Sequence, residues 1–328
     1  MREPLYPLTF HPLFKERVWG GRNIGTLFGK ALPREKQIGE SWEISDRPGD
    51  VSVVDRGSLA GRSLCQLIEE RGSEIMGSAR LCHGRFPLLV KILDAQERLS
   101  LQVHPPARVA EVLKGEPKTE MWFVADCRPG ADIYVGLKTN VTRSSFEEKM
   151  RSGLVAECFH RIPVKRGDSM FLPSGRLHAI GAGNVIFEIQ QNSDTTYRVF
   201  DWNRVGLDGQ PRELHVESSL QSIDFEDHEP SLVEGSLVEI DDGVFSRTMA
   251  ICDLFRVDHR RIRGEAAIRW ESGEAVRVLG VVSGALRCEG NGSVLFLRAG
   301  SFVLLPAVVE IGVWSESDES EFLVATAQ

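Results

Sequence analysis

Two histidines, a glutamate and a glutamine stand where the sequence predicts strands or strand ends. In Leu99-Ser-Leu-Gln-Val-His104, apolar and polar residues alternate, so Gln102 and His104 fall on one face of a strand. Glu120 precedes an apolar run, and His178 follows a Pro-Ser-Gly turn and opens another apolar strand. If one small barrel brings these side chains together, they offer two nitrogen and two oxygen donors. Such a set suits a catalytic zinc with an open coordination position, and it would also suit other divalent metals.

Each of these residues also has a simpler interpretation. The strand around Gln102 could lie at the surface with its polar face in water. Glu120 could face solvent, and His178 could be a structural histidine held by hydrogen bonds. For each segment taken alone the sequence leaves these alternatives open.

The densest polar stretch of the chain runs from Glu188 through Asp194 to Arg198, and apolar residues flank it on both sides. This pattern predicts a segment that lines a site and offers a carboxylate and an arginine. An Asx turn in a surface hairpin is the alternative. Lys91 is the single charged residue in the apolar run Phe86–Leu93, where a lysine needs a polar cavity or a carboxylate partner.

The elements that must position these residues are mostly short strands. The chain has 31 glycines, spaced as in turn-rich β proteins. The predicted strands are Phe86–Leu93, Leu99–Val103, Met121–Ala125, Asp132–Gly136, Ser169–Leu172, Val185–Gln190, Thr196–Asp201, Ala275–Val282, Gly284–Glu289, Ser293–Leu297, Ser301–Leu305, Val308–Trp314 and Glu321–Ala325. Four helices are predicted: one capped by Ser63 and ending at Gly72, one over Pro105–Leu113, one capped by Ser144 with Glu147 and closed by Gly153, and one over Arg212–Ile223.

A weak internal repeat indicates two copies of one β module. Gly167 and Pro173 enclose five residues, Gly300 and Pro306 enclose five more, and an apolar strand follows each. His178 stands five residues after the first proline, where the second copy has Ile311. If the first copy binds a metal, the second has lost that site.

Composition excludes several classes of protein. The 328 residues are 42% hydrophobic and 26% charged, which is ordinary globular composition and long enough for two or three domains. Thirty-nine basic and 47 acidic residues give a net charge of −8, so nucleic acid is a poor candidate partner. No apolar run approaches the ~20 residues of a membrane span, and the first residues lack the apolar region of a signal peptide. We therefore expect a soluble cytoplasmic protein.

Several segments in order resemble the type I mannose-6-phosphate isomerases, in particular their short bacterial form. The resemblance covers nearly the whole chain and is looser over the last 90 or so residues. Its motifs are Phe14-Lys-Glu-Arg-Val-Trp-Gly-Gly21, Ile38-Gly-Glu-Ser-Trp-Glu-Ile-Ser45, Leu89-Val-Lys-Ile-Leu-Asp94 with Leu99-Ser-Leu-Gln-Val-His-Pro105, Lys118-Thr-Glu-Met-Trp122, Gly167 through Ala179, and Glu188 through Asp201.

This resemblance implies a mainly β fold of two cupin-type (jelly-roll) β-barrels with small helical inserts. Residues 1–235 would form the catalytic cupin domain, with an N-terminal extension and short helices, and residues 236–328 a degenerate second cupin domain. The implied site has one zinc ion per chain, bound by Gln102, His104, Glu120 and His178. Arg198, Glu188 and Lys118 would be catalytic, Ser100 and Lys91 would contribute to phosphate recognition, and Asp194 would orient Arg198.

The implied reaction interconverts mannose 6-phosphate and fructose 6-phosphate through an enediol(ate). Our candidate for the base is Glu188, and a lysine, a histidine or a metal-bound water are the alternatives. Two alternatives remain. One is another metal-dependent cupin enzyme, a dioxygenase or an epimerase, and the other is a non-catalytic protein that binds a sugar phosphate. The expected partner is a small-molecule sugar phosphate rather than nucleic acid or a membrane, and the expected state is a monomer or homodimer.

Overall fold

The computed structural model describes residues 3–328, and most of its regular structure is β-sheet. The strands up to residue 200 are β1 (Leu13–Gly21), β2 (Ile38–Ile44), β3 (Asp46–Arg47), β4 (Asp50–Val51), β5 (Leu88–Ala95), β6 (Leu101–Val103), β7 (Glu120–Cys127), β8 (Asp132–Leu137), β9 (Phe159–Pro163), β10 (Ser169–Leu172), β11 (His178–Ile180), β12 (Asn184–Gln191) and β13 (Tyr197–Phe200).

The later strands begin after an irregular stretch that follows β13. They are β14 (Val238–Asp241), β15 (Val244–Ile251), β16 (Phe255–Arg263), β17 (Ala267–Trp270), β18 (Arg277–Ser283), β19 (Ala285–Gly290), β20 (Ser293–Arg298), β21 (Phe302–Leu305), β22 (Ile311–Ser315) and β23 (Glu319–Ala327). The helices of the described chain are α1 (Asn23–Phe28), α2 (Leu64–Met76), α3 (Ala107–Ala110), α4 (Arg143–Arg151) and α5 (Val216–Ser222), with a 3₁₀ helix at Val155–Cys158. None of these helices has the length and apolar character needed to cross a membrane.

The strands form two pairs of antiparallel sheets with the same order of strands. The first pair is a six-stranded sheet, β1-β2-β5-β12-β7-β10, and a five-stranded sheet, β13-β6-β11-β8-β9; we call it the first barrel. The second pair is a six-stranded sheet, β14-β15-β16-β23-β18-β21, and a four-stranded sheet, β17-β22-β19-β20; we call it the second barrel. A short ladder of β3 and β4 stands apart. The predicted mainly β architecture is therefore confirmed.

The internal repeat extends from the glycine–proline frame to the register of the strands. Leu172 pairs with Glu120 in the first barrel, and Leu305, which likewise precedes a proline, pairs with Arg277 in the second. His178 and Ile311 each begin the strand that follows. Arg277 therefore stands at the second barrel's equivalent of Glu120, and its guanidinium lies 5.3 Å from the ring centre of Trp270. The second barrel presents a cation and an isoleucine where the first has a carboxylate and a histidine.

The two barrels share an apolar core. The rings of Phe187 and Phe302, one from each barrel, lie 5.1 Å apart, and both belong to one cluster of buried side chains. The segment that precedes β1 contacts the second barrel, since the amide and carbonyl of Leu8 exchange hydrogen bonds with Leu304 at 2.8 and 2.9 Å. The division into residues 1–235 and 236–328 remains a prediction.

The helix predictions need correction at their ends. Helix α2 has the predicted capping box of Ser63 and Gln66, but it continues past Gly72 to Met76 through a non-helical backbone at Arg71. The cap of α4 is Thr142 with Ser145, not Ser144 with Glu147, because Thr142 has the extended backbone that an N-cap requires.

The other two predicted helices are shorter than expected. Only Ala107–Ala110 is helical after the prolines at 105 and 106, and the last helix begins at Val216 rather than Arg212. Arg212, the first residue of the predicted helix, instead follows a loop of residues 203–211 that a bridge between Val205 and Pro211 closes, and it lies on the wall of a cleft.

Candidate active site

The site residues come from two rows of paired residues, one in each sheet of the first barrel. In the five-stranded sheet, Gln102 of β6 pairs with Arg198 of β13 on one side and His178 of β11 on the other. In the six-stranded sheet, Glu188 of β12 pairs with Lys91 of β5 and with Trp122 of β7. Strand pairing thus aligns side chains that are up to 97 positions apart in the sequence (Lys91 and Glu188).

These rows line a cleft of about 620 Å³, a volume typical of sites for small molecules. The predicted residues on its wall are Lys91, Ser100, Gln102, Lys118, Glu188, Asp194 and Arg198. The other three, His104, Glu120 and His178, are buried beside Gln102 and Lys118. All ten residues proposed from the sequence are therefore gathered in one place, while their individual roles remain predictions.

The two histidines point their Nε2 atoms at each other. Nε2 of His104 and Nε2 of His178 are 3.1 Å apart. The Nδ1 atom of His104 lies 2.7 Å from the carbonyl oxygen of Thr195, and that of His178 lies 2.9 Å from the carbonyl of Arg176. A carbonyl can only accept, so each Nδ1 carries the proton and each Nε2 of the neutral ring presents a lone pair. Two imidazole lone pairs that converge on one point are an arrangement in which histidines bind a metal ion.

Glu120 completes this group of acceptors. Its Oε1 is 3.3 Å from Nε2 of His104, and its Oε2 is 3.7 Å from Nε2 of His178. Both oxygens are buried and make no hydrogen bond, although Lys118 Nζ lies 2.6 Å from Oε1. Burial alone would raise the pKa of Glu120, but the charge of Lys118 holds it well below its usual range. Burial lowers the pKa of His104 to about 3, with a further contribution from the charge of Lys118.

Gln102 lies beside this group, and its amide nitrogen is directed toward His178. Its Nε2 is 3.3 Å from Nε2 of His178, and its Oε1 accepts from Ser100 at 3.4 Å. A role as oxygen ligand requires the amide to turn by 180°, which exchanges nitrogen and oxygen without changing the shape of the side chain. The cluster of potential metal ligands, whose donor atoms all lie within 4.8 Å of one another, is His104, Glu120 and His178.

Lys91 has both features that the sequence analysis predicted for it, carboxylate partners and a polar cavity. Its Nζ lies 3.4 Å from Oε1 of Glu188 and 3.6 Å from Oε2 of Glu40, above the ring of Trp42. The other Glu188 oxygen accepts from Trp122 Nε1 at 2.8 Å. Burial and the nearby charge of Glu120 raise the pKa of Glu188, although Lys91 opposes them.

Arg198 is fixed by its own segment rather than by Asp194. Its Nη1 donates to the carbonyl of Glu213 at 2.7 Å, and its Nε is buried without a hydrogen bond. Within residues 3–328 the structure contains no ion pair or hydrogen bond between Arg198 and Asp194, which is exposed on the cleft wall. Burial and the neighbouring Arg212 lower the pKa of Arg198, which stays charged at any ordinary pH.

Sequence reasoning missed several charged residues of the cleft, among them Arg17, Glu40 and Arg212. Arg17 donates to Glu40 at 2.7 Å, and Arg212 donates to Asp201 at 2.7 and 2.5 Å. Glu40 accepts from Trp42 Nε1, and although burial opposes ionisation, Lys91 and Arg17 lower its pKa to about 2. Arg17 and Glu40 stand within the two N-terminal motifs of the resemblance, which was the one available signal for them.

Comparison with known proteins agrees with this geometry. The model of the type I phosphomannose isomerase catalytic domain matches residues 8–126. The chain is 37% identical to the "Probable mannose-6-phosphate isomerase GmuF" of Bacillus subtilis over 98% of its own length and 99% of the relative's. It is 36% identical to the mannose-6-phosphate isomerase ManA of the same organism, over 92% and 93%.

A solved structure supports the fold over the full chain. The crystal structure of the mannose 6-phosphate isomerase from Bacillus subtilis superimposes with a TM-score of 0.88 at 31% identity, covering 98% of this chain and 99% of that one. The predicted cupin-type fold is thereby confirmed. With relatives above 30% identity over nearly their whole length, the chain belongs to the type I phosphomannose isomerase family.

Proposed function

We propose that this protein interconverts mannose 6-phosphate and fructose 6-phosphate. The observation that carries the proposal is a pair of imidazole lone pairs and a buried carboxylate beside a cleft lined with cationic and acidic side chains. The relatives named mannose-6-phosphate isomerase support the choice of substrate. The partner of this site is then a small-molecule sugar phosphate.

The donor set fits a divalent metal ion, and we assign zinc, one per chain. His104, Glu120 and His178 would hold it, with Gln102 as fourth ligand after rotation of its amide. When bound, the metal supplies a Lewis acid that polarises oxygen atoms of the sugar. Lys118 lies 2.6 Å from Glu120 and stabilises that carboxylate in its charged form.

Glu188 is assigned as the base that moves the proton between C2 and C1. Its carboxylate is oriented by Trp122 on one oxygen and Lys91 near the other. Its raised pKa improves its match to a weakly acidic carbon, because a stronger base removes such a proton more readily. The proton taken from C2 of the aldose returns to C1, and the hydroxyl proton of O2 passes to O1, so Glu188 ends the cycle as it began.

The remaining charges suit the substrate's other groups. Lys91 and Ser100 offer a cation and a hydroxyl donor to the phosphate. Arg198 offers a permanent positive charge to the oxygen on which negative charge develops. Catalysis in the cytoplasm and a monomeric or homodimeric state remain predictions.

A coupled assay tests the function. Mannose 6-phosphate is supplied, fructose 6-phosphate is detected, and the assay is repeated after chelation and after zinc is restored. We expect turnover that chelation abolishes and zinc restores. Turnover that survives complete metal removal would overturn the zinc assignment. Folded, zinc-loaded protein without turnover would favour the non-catalytic sugar-phosphate protein, and turnover of another substrate would favour the dioxygenase or epimerase alternative.

A further inference from the structure

One wall of the cleft is a short loop that the predicted active site does not use. Residues 205–210, which we call the lid loop, follow β13, and three of them, Gly206, Leu207 and Asp208, line the cleft. Arg17 and Trp19 of β1 line the same cleft. The lid loop is therefore part of the wall that a bound sugar phosphate would contact.

The two ends of the lid loop are anchored on one buried carboxylate. Asp201 accepts from Arg204 at 2.7 Å on one side of the loop and from Arg212 at 2.7 and 2.5 Å on the other. Between Asp201 and Arg204 the backbone is left-handed at Trp202 and Asn203, with φ of 57° at both. Non-glycine residues adopt this conformation only where the surroundings hold them. Both ends of the lid loop are thus fixed in place.

The hydrogen bonds of the segment between these two anchors are all within the segment. The amide of Gly206 donates to Gln210 at 2.6 Å, that of Gly209 donates to Gly206 at 3.0 Å, and that of Gln210 donates to Asp208 at 3.0 Å. In the described chain, residues 205–210 make no hydrogen bond to residues outside the loop and its closing strand pair. Because its hydrogen bonds are internal, the lid loop can move as a unit between its fixed ends without breaking hydrogen bonds to the rest of the chain.

The tip of the lid loop carries an apolar side chain in a largely polar cleft. Leu207 is 62% exposed on the cleft wall. Apolar surface gains stability when it leaves water, by about 25 cal/mol per Å². A ligand in the cleft would give Leu207 a surface to cover, so closure over a bound sugar is favourable for this residue.

We propose that the lid loop closes over the bound sugar phosphate, with Leu207 as a positioning residue that keeps water from the proton carried by Glu188. This inference rests on the proposed function, because it concerns the proton transfer of that reaction. Closure of the lid loop would also affect the position of Arg198. The carbonyl of Glu213, which holds Nη1 of Arg198, lies just beyond the anchor at Arg212.

The closure itself is tested by amide hydrogen exchange in the zinc-loaded protein. Mannitol 6-phosphate, which has no carbonyl and cannot isomerise, serves as the probe, and its binding is checked by calorimetry. We expect exchange of the amides of residues 205–210 to slow roughly fivefold or more at saturation. Unchanged exchange in this segment overturns the lid, whether or not the protein turns over substrate. Absence of turnover in the coupled assay refutes the proposed function instead.

The role of Leu207 is tested by isomerisation in deuterium oxide. Leu207→Ala should raise the deuterium incorporated at C1 of each fructose 6-phosphate about threefold and should raise KM. Leu154→Ala, at an exposed leucine that does not line the cleft, is the matched control and should behave as the wild type. Wild-type product that carries a full deuterium, or equal incorporation in Leu207→Ala, overturns the exclusion of water by Leu207.

Discussion

The carboxylate of Glu188 faces the ammonium of Lys91 across neighbouring strands, with 3.4 Å between Oε1 and Nζ. Burial raises the pKa of this carboxyl, and the lysine acts in the opposite direction. The strand register holds the two residues directly opposite each other. The basicity of the proposed catalytic base is therefore set by a residue that we also assign to phosphate recognition.

Glu188→Gln should remove the proposed base while keeping the size of the side chain. We expect kcat to fall by about 10²–10⁴, the usual contribution of general base catalysis, with a small change in KM. Steady-state kinetics of the zinc-loaded variant measure this. A variant with wild-type kcat would show that another group carries the proton.

Lys91→Met should change the pH dependence of kcat. Without the cation the pKa of Glu188 rises further, and a base acts only when it is deprotonated. The acid limb of the kcat profile should therefore move to higher pH, and KM should rise because a phosphate contact is lost. A limb that stays in place or moves to lower pH would contradict the assigned coupling.

Glu120→Gln should abolish metal binding, because it replaces the one buried carboxylate of the donor group. Arg277→Gln at the equivalent position of the second barrel is the matched control and should keep about one zinc per chain. Metal analysis after dialysis gives the content. Free zinc at 100 times its Kd should stabilise the control by about 2.7 kcal/mol and leave Glu120→Gln unaffected. Equal zinc content in both variants would place the metal elsewhere.

Arg198→Lys should lower kcat about 10²–10³-fold even at saturating substrate. Lysine keeps a charge but lacks the fork that reaches both the carbonyl of Glu213 and the cleft. Titration of mannose 6-phosphate in the assay separates kcat from KM. A change confined to KM would favour a binding role for Arg198 and weaken the case for catalysis.

Glu321 of the second barrel should make stability depend on pH. Hydrogen bonds from His259 and Arg261 outweigh burial and lower its pKa to about 2. A carboxyl with a lowered pKa stabilises the fold above its ordinary value of 4.5, and this contribution is lost as pH falls toward 2. Glu321→Gln should cost about 1–3 kcal/mol at pH 7, measured by urea unfolding, and the difference from wild type should shrink as pH falls from 4.5 to 2. A difference that is constant with pH would contradict this.

The sequence allowed the ten site residues to be named because their motifs are local. Gln102 and His104 share one alternating strand, and Lys118 and Glu120 are two residues apart. The strands that hold them were predicted to within about two residues, since apolar alternation reflects burial directly.

What the sequence could not show depends on contacts between distant segments. Arg17 and Glu40 enter the cleft because β1 and β2 extend the sheet beside β5, a pairing over some fifty residues that no local pattern encodes. Strands β14 to β17 were missed because their exposed and charged residues, such as those of Val238–Asp241, hide the alternation. Arg212 was assigned to a helix because its propensity was read without the buried Asp201 that draws it into a loop.

The pairing of Leu8 with Leu304 bears on the order in which this chain can mature. Leu8 leaves the ribosome long before Leu304 and finds its partner only when residue 304 has been made. Leu8 is fully buried in the finished protein, so until then it must stay exposed or contact something else. The packing of this segment against the second barrel is thus delayed until residue 304 has been made, and a chain cut short before it leaves an apolar segment open to chaperones and proteases.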